Sequence, residues 1–546
     1  MTSGSHTPST ATIAFADALA LVARRRPTGV DAAQPPAFTY RPPGRDPAGA
    51  PTATASASTA DGSGSAIATA PTATAPTAPT ATAPTAPTAT APTATAPTAP
   101  TAPTTPTALA SGDSSGGAIA VVHRRMAMRD LSAVELVEQA ILAADKQGRA
   151  LGAVVELMAE QALAEAARLD RQAAAHPDDV GPLHGIPITV KDIIHVAGVP
   201  TRAGSAAYHV VPSVDAVAVA RARAAGAIVV AKVSTHEFAL GVTTPQSANP
   251  FDERRIPGGS SGGSAIAVAC GIGLASIGTD TRASIRVPAA VCGVVGLKGT
   301  YGLVPTEGIV PLSWTMDHIA PIATTVADAA LMLEVMSGRR FVAPGPVAWR
   351  VGVPAAGFEG CEPSIERAAR DAIAALVADS GVLVELDRPD RDDLDLANAA
   401  GLIVSRCEAA AFHRSLGADR DVYWDEVTDQ LDAADALAAT DYLDAQRLRA
   451  VLTADLLAVF DRCDVLCLPT VGITAPLRDD YTRFLTVLSR ACIPWSLAGF
   501  PAVSVPCGFD AAGLPVGLQI VGPPGADATV IAAAMDVERA MPTPLD

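Results

Sequence analysis

The stretch GGSSGGSAIAVACGIGLASIGTDTRASIRVPAAVCGVVGLKGTYG, Gly258 to Gly302, carries the densest pattern in the chain. Its opening run, Gly258-Gly-Ser-Ser-Gly-Gly-Ser264, has the composition of a linker. The next residues argue against a linker: an apolar stretch from Ala265 to Ala269, then Gly271 placed as a helix stop. Glycines in front of a helix let the backbone approach another segment closely or adopt φ > 0. A glycine loop opening a helix also resembles a phosphate cradle. The Gly-x4-Gly-Lys-Ser/Thr spacing is missing, which leaves nucleotide binding a weak reading.

Outward from this stretch, short apolar runs alternate with helical stretches and Gly-rich turns. Ile186–Val190, Ala227–Ala231 and Ala275–Ile277 read as strands. Residues 340–470 look more helical, notably Ser364–Ser380 and Asp429–Leu457. The end returns to strands at Val465–Leu468, Ala502–Pro506 and Val516–Val521. This alternation predicts an α/β domain with a central, mostly parallel or mixed sheet flanked by helices, completed by the C-terminal segment. Toward the N-terminus, Ser132-Ala-Val-Glu135 has the form of a capping box. A helix is expected from about Met158 to Ala175, and order is expected to begin near Met126.

Before that the texture changes again. Ala50 to roughly Ala110 consists of Ala, Pro and Thr in repeats such as APTAPTATAPTAP. Frequent proline forbids helix interiors, and small side chains offer little apolar area against the ordering entropy. The expected organisation is a disordered extension over residues 1–118, relieved by one short helix within Thr12–Arg26, and a single domain over 119–546. No chemistry is expected in the extension.

Four motifs then bear on identity: PLHGIPITVKD (182–192), GGSSGGS (258–264), GTDT followed by SIRVPAAVCGVVGLKGTYG (278–302), and LPVGLQIVG (514–522). In this order they resemble the amidase signature family, over roughly Leu131 to Ala540. The resemblance implies a triad of Lys191, Ser260 and Ser284. Lys191 would be the base, Ser260 a bridge on an unusual cis peptide, and Ser284 the nucleophile. The two serines lie 24 apart (284 − 260), as in the family. The chemistry is consistent: a serine hydroxyl needs a neighbouring base, and a lysine can be that base when burial keeps it neutral. Lysine-based serine systems are a known variant of the triad.

The resemblance further implies an oxyanion hole of backbone N–H groups at Thr281, Arg282, Ala283 and Ser284. Here the chain departs from the family, whose usual glycine pair is replaced by Arg282 and Ala283. Both are expected at φ < 0, with the pocket narrowed by the Ala283 methyl or gated by the Arg282 side chain. Gly299 also stands where the family often has proline. Ser261 and Ser264 read as loop and helix-start hydrogen bonders. Asp280 and Arg286 read as a structural ion pair or carbonyl binders, and Lys298 as structural. Nothing around His184, His195, His236 or His318 selects a catalytic histidine.

The implied activity is hydrolysis of a carboxamide through an acyl-serine intermediate. Two alternatives share the motifs: the glutaminase subunit of a tRNA-dependent amidotransferase, and a non-catalytic binding protein on the same fold. The Arg-Ala-Ser turn and the extension favour a stand-alone amidase. Acidic residues outnumber basic ones, 56 to 39, for a net charge of −17. That argues against direct nucleic-acid or anionic-membrane binding. Eight cysteines without Cys-x-x-Cys spacing give no metal site and no cofactor is called for. No apolar run of membrane length and no export signal appear, so a reducing cytoplasm is expected. The expected partner is a small amide substrate, and a homodimer is left open.

Overall fold

The computed structural model describes residues 10–25, 116–342, 348–378 and 380–541. The expected disorder over Ala50–Ala110 lies outside them. The helices are α1 (Thr10–Arg24), α2 (Gly117–Ala127), α3 (Ala133–Ala143), α4 (Ala159–Ala175), α5 (Val217–Ala224), α6 (Gly262–Ala269), α7 (Arg286–Val291) and α8 (Val326–Ser337). They continue with α9 (Pro363–Val377), α10 (Arg391–Leu416), α11 (Asp425–Asp435), α12 (Ala439–Ala458), α13 (Leu485–Arg490), α14 (Ile493–Leu497) and α15 (Asp527–Ala540). The strands are β1 (Val154–Leu157), β2 (Pro187–Lys191), β3 (Ile228–Val233), β4 (Ala275–Asp280), β5 (Val295–Lys298) and β6 (His318–Ala323). The remaining five are β7 (Arg350–Pro354), β8 (Val382–Leu386), β9 (Val465–Pro469), β10 (Ala502–Phe509) and β11 (Pro515–Val521).

The strands form one mixed sheet in the order β1-β3-β2-β4-β6-β5-β10-β11-β9-β7-β8. β2 runs parallel to β3 and β4, and β7 to β8 and β9. β6, β10 and β11 are antiparallel to their neighbours. The inner strands β2, β3, β4 and β6 are buried throughout, as expected of strands covered on both faces. The C-terminal strands β10 and β11 sit between β5 and β9, so the last segment closes the middle of the sheet.

The register brings the ends of several strands to one edge. Lys191 pairs with Val233, and Asp280 with His318; Lys298 pairs with Ala502. The carboxyl ends of parallel strands are where open α/β sheets place ligands.

Local signals place the surrounding helices. The capping box forms: Ser132 Oγ accepts from the Glu135 N–H at 3.1 Å, and the Ser132 N–H donates to Glu135 at 2.8 Å. Asp170 adds acceptors for the N–H groups of Ala133 and Val134. The helix expected over Asp429–Leu457 is two, α11 and α12, broken at 436–438. Order also starts earlier than Met126. In α2, Ile119 and Val122 are buried, and the N–H groups of Ala118 and Ile119 donate to Asp328 on α8. The extension expected to reach residue 118 meets α2 at Gly117, and most of it lies outside the described residues. Its expected helix is present as α1, whose Ala18 and Val22 are buried against α10 and α12.

Candidate active site

The glycine loop begins the site. Gly258 has φ +68°, and a Cβ at Gly259 would run into the Thr243 carbonyl, so the loop passes too close to a neighbour for any side chain. The Gly259–Ser260 peptide is cis. Ser260 leads into α6, whose eight residues are all buried.

Lys191, at the end of β2, and Ser260 are both fully buried. Lys191 Nζ donates to Ser260 Oγ at 2.8 Å and to Thr279 Oγ1 at 2.8 Å. Burial pushes the Lys191 ammonium down to about 7, against the pull of Asp280 and Asp317. A lysine with that value is substantially neutral near pH 7, and a neutral amine can take a proton from a hydroxyl it touches.

Ser284 lies in the turn between β4 and α7 and is 5% exposed, with Lys191 and Ser260 sealed at 0%. The Ser261 N–H donates to the Ser284 carbonyl at 3.2 Å, which ties the glycine loop to this turn. The Thr281 hydroxyl donates to Asp317 at 2.6 Å, and Asp317 also accepts from the N–H groups of Leu312 and Ser313. Burial pushes the Asp317 carboxyl up to about 7 despite those donors. Among the described residues, the N–H groups of Arg282, Ala283 and Ser284 donate to no protein atom. Successive N–H groups left open at a turn can hold an anion.

Arg282 and Ala283 are not among the residues with positive φ. The Ala283 methyl is fully buried, in one apolar cluster with Ile285, Val287 and Ile322. A small apolar side chain fits that core, whereas Arg282 cannot join it.

The residues read as structural are deeply placed. Asp280 and Arg286 form a fully buried ion pair at 2.9 Å. Burial works to raise the Asp280 carboxyl, but Arg286 outweighs it and holds the group well below the carboxylate range. Arg286 also reaches the carbonyls of Arg282 and Cys492, Gln519 Oε1 and Ser496 Oγ. Lys298 Nζ donates to the Phe500 carbonyl. Ser261 Oγ donates to the Thr279 carbonyl, but Ser264 Oγ is buried without a partner, contrary to its expected role. His318 Nδ1 lies 2.7 Å from the Met316 carbonyl, and His236 Nε2 lies 3.7 Å from Glu426. His184 and His195 each have a buried Nε2 that has no partner.

Sequence reasoning did not single out Thr279, Asp317 or the buried Asp192–Lys232 ion pair at 2.9 Å. Thr279 and Asp192 stand inside quoted motifs, next to residues that were chosen. Asp317 sits in Thr-Met-Asp-His, where no spacing marks it. Among the described residues no group of His, Cys, Asp and Glu is placed to hold a metal, and no helix is long and apolar enough to cross a membrane. The eight cysteines are unpaired.

The family model described as Amidase matches residues 135–531. The chain is 34% identical over 477 residues to a glutamyl-tRNA(Gln) amidotransferase subunit of Cyanothece sp., covering 77% of this chain and 97% of that one. It is 36% identical over 465 residues to an amidase of Pseudomonas putida, covering 77% and 95%. A crystal structure of an amidase superposes with a TM-score of 0.70 at 35% identity, covering 77% of this chain and 98% of that one. Fold and likeness together define an α/β enzyme that acts on amide bonds. The chain belongs to the amidase family, the amidase signature enzymes.

Proposed function

We propose that the protein is a stand-alone amidase that hydrolyses a carboxamide through an acyl-Ser284 intermediate. One observation carries the reading: a fully buried Lys191, lowered to about 7, bonded to Ser260 at 2.8 Å beside the Ser284 turn. Ser284 Oγ attacks the carboxamide carbon while its proton passes to Ser260, whose own proton moves to the neutral Lys191 amine. The tetrahedral oxyanion sits against the N–H groups of the Thr281–Ser284 turn. Collapse breaks the C–N bond, and the departing nitrogen takes the proton back through Ser260. Water then attacks the acyl carbon and gives a proton to the same relay, which returns it to Ser284 Oγ as the acyl C–O bond breaks and the carboxylic acid leaves.

A second reading is favoured by the amidotransferase relatives: a glutaminase subunit that hands ammonia to a partner. Co-purification of a second subunit, with activity restricted to glutamine, would establish it. The test of the first reading is an activity screen across aliphatic, aromatic and urea-like amides, run beside a fluorophosphonate probe. The probe is expected to label Ser284 alone. Ser284→Ala and Lys191→Ala are each expected to lower turnover by a factor on the order of 10³ or more; wild-type rates in Ser284→Ala sink the mechanism.

A further inference from the structure

Arg282 stands two residues before Ser284 in the same turn. Its carbonyl is held by Arg286 and its N–H belongs to the proposed oxyanion turn, which leaves the side chain to serve another group. That side chain is partly buried, its Nε is buried without a hydrogen-bond partner, and it makes no ion pair among the described residues. The neighbouring charge is another guanidinium, Arg406 on α10. Arg406 is buried and bonds to neutral groups only: Gln430 Oε1 at 2.6 Å, Ser405 Oγ at 3.3 Å and the Leu240 carbonyl at 3.3 Å. Gln430 donates to that same carbonyl, which locks Arg406 in place. Glu426 attracts Arg406 from a distance but is engaged by His236.

Two cations largely withdrawn from water and without a bonded anion, near enough for Arg406 to act on Arg282 through its charge, are costly. Burial first, and Arg406 second, pull Arg282 down to about 9; burial pulls Arg406 to about 10. Arginine does not release its proton in a protein, so both stay charged and the strain is electrostatic. A bound anion relieves it. A guanidinium fork is also the donor that grips a carboxylate with two parallel bonds. An amide whose reacting carbon lies at Ser284 and whose far end carries a carboxylate would place that group toward Arg282.

We infer that the substrate is a carboxamide bearing a carboxylate a short chain away, a half-amide of a dicarboxylic acid, bound through Arg282 with Arg406 behind it. This rests on the amidase reading for its reaction but not for its binding site. The test has two arms. In the first, kcat/KM of the wild-type protein is measured on malonamate, succinamate and glutaramate and on the corresponding neutral diamides. A preference of at least tenfold for one half-amide is expected, shrinking as salt is raised. Arg282→Gln should cut that preference at least tenfold, and Arg282→Lys should retain part of it.

In the second arm, calorimetry follows succinate and glutarate binding to the Ser284→Ala protein. Binding is expected, and Arg282→Gln in that background should weaken it at least tenfold. Diamides hydrolysed as well as every half-amide overturn the inference while leaving the amidase reading intact. Dicarboxylate binding through Arg282 without turnover of any amide does the reverse. Absence of dicarboxylate binding, or binding indifferent to Arg282, overturns the inference whatever the activity.

Discussion

Lys191 sets the pH behaviour at the scale of single residues. In the proposed reaction its ammonium, lowered to about 7 by burial, is the inactive form and the amine is the base. Activity is therefore expected to rise with pH through about 7 and to level off above it. Asp317 raises the Lys191 value through its charge. Asp317→Asn keeps an oxygen for the Leu312 and Ser313 N–H groups and removes the charge, so the rising limb should move to lower pH. A pH profile of kcat/KM checks both statements. A flat profile from pH 5 to 9 removes Lys191 as the base, and an unmoved limb in Asp317→Asn removes Asp317 from its electrostatics. The Asp317 carboxyl itself lies near 7, so the limb belongs to the two groups together.

At the scale of elements, the docking of α2 on α8 marks where the folded body begins. Asp328 is the N3 residue of α8, where the Thr325 hydroxyl caps the helix, and it also accepts the N–H groups of Ala118 and Ile119. Each buried N–H left without its acceptor costs about 1–3 kcal/mol. Asp328→Ala should thus lose about 2–5 kcal/mol, read as a lower denaturant midpoint. Deletion of residues 1–115 should leave turnover intact and lower Tm by only a few degrees, because α1 contributes Ala18 and Val22 to one small cluster. Deletion through residue 125 should fail to give folded protein, since it removes the buried Ile119 and Val122. Full stability in the longer deletion would show that α2 is dispensable. The composition of the N-terminal quarter pointed to an extension ending at 118. α2 starts two residues inside that bound, at Gly117, and burial against α8, not propensity, stabilises its first turn.

Across the whole molecule, Arg286 joins parts of the chain more than 200 residues apart. It fastens the β4–α7 turn to Cys492, Ser496 and Gln519, so the C-terminal segment closes the sheet and braces the Ser284 turn together. Arg286→Met would leave Asp280 as a buried charge without its partner. The expected loss is about 3–5 kcal/mol, because breaking one side of a buried pair strands the other. Equilibrium denaturation measures it, and a change under about 1 kcal/mol would mean that Asp280 is neutralised in some other way.

Sequence alone was enough for the mixed α/β class and for six of the eleven strands, β2, β3, β4, β9, β10 and β11, and the resemblance of its motifs to a family singled out Lys191, Ser260 and Ser284. Those properties are local: hydrophobic runs, glycines that admit no side chain, and motifs in a set order. Folding in three dimensions was needed to place Ala283 in the core and Arg282 within reach of the Arg406 charge. It also decided that Asp317 anchors Thr281, and that Asp429–Leu457 bends into two helices. These outcomes depend on which groups meet across long separations, such as Asp317 with Thr281 and Arg286 with Gln519. A one-dimensional pattern records spacing along the chain, whereas the cost of an unpaired charge or an open N–H depends on what the folded neighbours supply.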